Sequence, residues 1–127
     1  MTISTWFLRA GAMTGAGGMA LGIAMAAMGD HSQMPLHAHL NLLGWVSMML
    51  FGLFYRTVPE AALGVLPRIQ FGLCVAGLVA MVVGLAQIDA GSHEAGAPFA
   101  IAGAFMTIAA MIIFVVTVFR WTRVRAA

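Results

Sequence analysis

The sequence predicts an all-α protein, an integral membrane four-helix bundle with both termini on the cytoplasmic side. Three observations predict it. Of 127 residues, 62% are hydrophobic and only 8% charged, whereas soluble domains are roughly half apolar and about a quarter charged. Four apolar stretches, 6–28, 36–58, 67–88 and 98–119, approach the ~20 residues that a bilayer core requires. Lysine is absent, and the arginines are placed so that all fall on one side of a four-span chain.

The breaks between the stretches are short and polar: "GDHSQMP", "PEAALGVLP" and "DAGSHEAGAP". Pro35, Pro59, Pro67 and Pro98 mark ends and starts, where a missing N–H costs least. Connections this short make consecutive helices antiparallel neighbours in a single domain, 1–127. Arg9 snorkels from the start of the first span to the headgroups. Arg56 and Arg68 flank the second break, and Arg120, Arg123 and Arg125 close the chain. With these inside, Asp30, His31, Asp89, His93 and Glu94 face outward. Trp6 and Trp121 are aromatic anchors at the inner interface, and Tyr55 is read as another interfacial aromatic. The first span is too long for a signal-peptide core and is expected to be retained, despite "AMA" at 24–26.

Glycine marks where helices meet. Gly11, Gly15, Gly18 and Gly22 form two small-xxx-small pairs on the first helix; Gly44 and Gly52 lie on the second, and Gly72, Gly77 and Gly84 on the third. Gly44 has a second reading, as room for a flat macrocycle against the helix. The single cysteine, Cys74, reads as a small buried hydrophobe and rules out an internal disulfide. A pI near 9.5 reflects a small excess of arginine over carboxylate and gives no footprint for nucleic acid.

The chemistry concentrates in "MPLHAHLNLLGW", residues 34–45. Ionisable groups within a span are functional candidates by default. Two helical residues rotate by about 200°, so His37 and His39 point to nearly opposite faces and cannot easily grip one metal together. Asn41, four residues after His37, shares its face and either orients that imidazole or makes a helix–helix hydrogen bond.

The stretch "HAHLNLLGWVSMMLFGLFY" resembles the helix of haem–copper oxidase and nitric oxide reductase catalytic subunits that carries a His-x-His pair. The likeness covers about 20 of the 127 residues. In that superfamily the pair sits near the outer membrane face, the first histidine ligating the high-spin haem and the second the low-spin haem. By motif His37 takes the first position and His39 the second. The family's catalytic chain has about twelve spans in three four-helix arcs, and the three histidines of its second metal site have no counterpart here. The resemblance therefore implies a single arc, and a homotrimer would rebuild the whole.

In such a trimer His37 of one chain and His39 of the next would ligate a haem at each interface. Two axial ligands leave no open position, so the expected role is electron transfer or redox sensing with a redox partner, not independent oxidase or reductase chemistry. Without a CxxCH motif the haem would be non-covalent, of b type. Asn41 and Gly44 would line the same site.

Two other readings remain open. Met28, His31, Met34 and His37 recur at intervals of three, and thioether with imidazole favours copper, with His93 and Glu94 as further ligands. Alternatively the histidines are interfacial and the chain is a structural subunit without a cofactor. Asp30, Asp89, His93 and Glu94 then belong to solvated turns. A transporter is disfavoured, because the spans show no inverted repeat, broken helix or buried carboxylate.

Overall fold

The computed structural model describes residues 1–124, and among them every regular element is helical. Helix α1 runs Ile3–Met28, α2 Met34–Thr57, α3 Leu66–Asp89 and α4 His93–Val124, with a 3₁₀ turn at Pro59–Ala62. All four helices are long and apolar enough to cross a membrane. Arg125 lies outside the described residues.

Chain reversals follow local chemistry. Gly29 ends α1 in the left-handed conformation (φ 66°), its N–H donating to the Ala26 carbonyl, a C-cap that residues with a Cβ adopt only at a cost. Gly91 (φ 84°) turns the chain out of α3 in the same way. Pro35 and Pro67 occupy the first turns of α2 and α3, where no partner is lost. Pro98 departs from expectation: α4 begins at His93 and carries the proline inside. The Gly96 N–H already donates to the Ser92 carbonyl at 2.9 Å, so the helix is established before the proline and takes in His93 and Glu94.

Two pairs of helices pack through glycine. On α1, a Cβ at Gly11, Gly15, Gly18 or Gly22 would strike Met49, Trp45, Asn41 or His37 of α2 at 2.5–2.9 Å. On α3 and α4, Gly77 faces Gly103 and Gly84 faces Gly96, each glycine lying against the carbonyl oxygen of its opposite number. Small residues let backbones approach this closely, and packing of that kind replaces the hydrophobic drive that lipid removes. Gly72 has nothing within 4 Å and takes no part in this contact.

The two pairs meet through α2 and α3 and through an aromatic cluster near the arginines. Phe7 stacks on Tyr55 (5.8 Å) and meets Phe71 edge-on (5.0 Å), while Phe51 and Phe54 pack on Phe114 at 4.5 and 5.2 Å. All four helices contribute a ring. Arg56 and Arg68 line one hollow at this end, with residues 1–6, and Arg120 lines a second beside Glu60. Arg9 bends back to donate to the Met1 thioether at 3.0 Å. The described arginines outside α4's last residues thus gather at one end, as their spacing predicts.

Packing of α3 on α4 sets a clear expectation. At Gly103 an added methyl meets the Gly77 carbonyl and the Met81 backbone nitrogen, both at 2.7 Å, and backbone cannot step aside. Gly103→Ala should therefore destabilise the protein by about 1–3 kcal/mol. Gly17→Ala, facing open space, should leave stability unchanged or slightly raised. Thermal unfolding in detergent followed by far-ultraviolet circular dichroism checks both.

Candidate functional site at the histidine end

The first six residues of α2, Met34–His39, are regular α-helix, and the next eight, Leu40–Ser47, are wound as a π-helix. Side chains mark both ends of the wide segment. Asn41 donates its amide to the His37 carbonyl at 2.9 Å, and Ser47 donates its hydroxyl to the Leu42 carbonyl, five residues back, at 2.7 Å. Such bonds compete with the backbone for its own acceptors. π-Helical turns are rare and often coincide with functional sites.

The winding has a steric consequence. In an α-helix each step of four residues drifts by about 40°, so residues 37 and 49 would sit about 120° apart. Here His37, Asn41, Trp45 and Met49 all rest over the glycines of α1. The wider turns cancel the drift and keep three consecutive four-residue steps on one face.

His37 and His39 lie on opposite sides of this helix, as their spacing requires. His37 lays its Cε1 edge against Gly22 of α1, 2.9 Å from where a Cβ would be. Its Nδ1 is 3.4 Å from the Asn41 amide nitrogen, a long and weak contact. His39 turns away from that seat, half-buried, and its Nδ1 lies 2.7 Å from the Pro35 carbonyl oxygen. A carbonyl only accepts, so Nδ1 of His39 carries the proton and Nε2 presents its lone pair. A backbone carbonyl holding Nδ1–H is the usual way a ligand histidine is aimed.

Asn41 gives its strong bond to the backbone of its own helix, not to another helix, and only a weak contact to the His37 ring. Gly44 is different. A Cβ there would meet Thr14 of α1 at 2.8 Å and Leu78 of α3 at 2.9 Å. Two helices already fill the space that a macrocycle would need, so Gly44 is a crossing point of three helices.

Around this helix end lie the remaining polar residues. His31 is exposed in the α1–α2 turn, Met34 opens α2 with its side chain half-exposed, and His93 and Glu94 occupy the exposed first turn of α4. Among the described residues no three His, Cys, Asp or Glu side chains converge on a point. Ser32 donates its backbone N–H to Asp30 at 2.9 Å, and that bond, with the Ser32 hydroxyl, holds the carboxyl below its ordinary 3.8. The bond favours the folded turn above that pH and loses its effect as pH falls through the lowered value. A hollow of about 150 Å³ between this turn and α3 is lined by Gln33, Leu36 and Ile88, with no histidine in its wall.

A second polar contact was not legible in the sequence. Tyr55 is buried, not interfacial, and its hydroxyl donates to Gln70 Oε1 at 2.5 Å at the arginine end of the core. Gln70 Nε2 has no partner. Only the periodicity of α3, which puts Gln70 on the buried side with Cys74 and Gly77, hinted at it. Cys74 is buried and unpaired, as expected.

Compared with known proteins, the chain matches no family model, no curated protein and no solved structure.

The two histidines should be distinguishable by nitrogen NMR. In the neutral state His39 should carry its proton on Nδ1, visible in long-range ¹H–¹⁵N correlations. A His39 protonated on Nε2 would remove the Pro35 bond and the aimed lone pair with it.

Proposed function

We propose that this chain is a membrane b-type haem protein that carries electrons, with haem held between neighbouring chains by His39 of one and His37 of the next. One observation carries the reading: His39 has its Nδ1–H fixed on the Pro35 carbonyl and its Nε2 free to bind iron. A bound haem would supply a one-electron ferric–ferrous couple, and two imidazole ligands would leave no position for a gaseous substrate.

The protein's own part in this is orientation. Pro35 sits in the first turn of α2, one turn before His39, and its carbonyl aims that ring. Ligation through His37 Nε2 needs its proton on Nδ1, which costs only the 3.4 Å contact with Asn41. Asn41 keeps its stronger bond to the backbone in either state.

The assembly is a homotrimer in this reading, each chain one arc of the kind found in the haem–copper oxidase and nitric oxide reductase superfamily. Its support is the packing: α1 with α2 and α3 with α4 form the extensive contacts, and α4 is the least buried helix. The outer helices therefore have surface to give to neighbours. The membrane is the inner or plasma membrane of a bacterial-type cell, with the arginine end inside and the histidines outside.

The deciding experiment is a visible spectrum of the detergent-purified protein, before and after dithionite, with native mass measured on the same sample. A sharp Soret band, split α and β bands on reduction and a trimer mass are expected. His37→Ala or His39→Ala should each abolish the six-coordinate spectrum. A protein that stays colourless when supplied with haem, or a variant that keeps the spectrum, overturns the reading. Copper found by elemental analysis, lost on replacing His31 or Met34, would replace it with the alternative metal site.

A further inference from the structure

We propose that the arginine end of the protein holds a second site, for the phosphate of an anionic phospholipid headgroup. A cavity of about 660 Å³ opens there between the start of α1 and the α2–α3 connection. Its volume is that of a small-molecule pocket. Arg56 and Arg68 both line it, one from the end of α2 and one from the first turn of α3.

The rest of the wall suits the same ligand. Thr2 brings its hydroxyl within 2.9 Å of the hydroxyls of both Ser4 and Thr5, so three hydroxyls cluster in one wall of the cavity. Trp6 forms an apolar side and is partly exposed, as an aromatic at the membrane interface would be. Tyr55 forms the floor, its ring held by Phe7 and its hydroxyl by Gln70, so the cavity is braced by the core. Two arginines and a cluster of hydroxyls in one wall suit a phosphate diester, because guanidinium binds phosphate oxygens in pairs. The cavity lies at the ends of three helices long and apolar enough to cross a membrane, the depth at which lipid phosphates would meet such spans. Basic pockets between spans on the cytoplasmic side bind anionic lipids by this chemistry. The site is independent of the histidines, which lie at the opposite ends of α1 and α2.

The test is native mass spectrometry of the full-length protein in detergent, titrated with phosphatidylglycerol, phosphatidylcholine or inorganic phosphate. One phosphatidylglycerol per chain should be retained in preference to phosphatidylcholine. Arg56→Gln and Arg68→Gln should each weaken retention about fivefold, the value for about 1 kcal/mol per arginine near the surface. Arg120→Gln removes the same charge from the neighbouring hollow and should have less than half that effect. Equal losses from all three variants, or equal retention of the two lipids, overturn the proposal. Displacement of the lipid by millimolar inorganic phosphate overturns the assignment to a headgroup and leaves a site for free phosphate.

Discussion

The structure depends on the seating of one helix in the glycine groove of another. His37, Asn41, Trp45 and Met49 of α2 rest over Gly22, Gly18, Gly15 and Gly11 of α1, at distances that leave no room for a methyl group. Neither helix could make this contact alone. α1 has to expose backbone along its length, and α2 has to keep a four-residue step on one face. The π-helix at Leu40–Ser47 meets the second requirement, because its wider turns remove the drift that an α-helix imposes.

That seating divides the two histidines. His37 is drawn into the groove beside Asn41, and His39 is left on the far side with its Nδ1 on Pro35. The two imidazoles therefore have different partners: the Pro35 carbonyl for His39 Nδ1 and the Asn41 amide for His37 Nδ1. A pair that looks symmetric in the motif is asymmetric in the fold: one ring braces a helix crossing and the other presents a lone pair.

The two ends of the molecule are held by different means. Toward the arginines, rings from all four helices and the Tyr55–Gln70 bond fill the core. Away from them, small residues bring backbones together, and fewer large side chains intervene. An end packed by aromatic rings leaves a braced cavity between charged helix ends; an end packed by glycine leaves polar side chains at the rim. In a membrane, where apolar surface gains nothing by leaving lipid, both devices rest on shape and on satisfied polar groups.

The sequence by itself determined the number of helices, the approximate bounds of the first three, the chain reversals and the gathering of arginines at one end. Those properties follow from composition, from glycine and proline at the turns and from one-dimensional spacing. It also placed His37 and His39 on opposite faces, because the helix between them is regular. Tertiary structure alone decided the rest. Gly44 looked like space for a ligand until Thr14 and Leu78 filled it, and Tyr55 looked interfacial until Gln70 gave its hydroxyl a buried partner. Pro98 looked like a helix start until the Ser92 carbonyl began the helix earlier. In each case the deciding group lies elsewhere in the chain or in a backbone carbonyl, and residue spacing carries no record of which acceptor or which neighbouring helix will fill the gap.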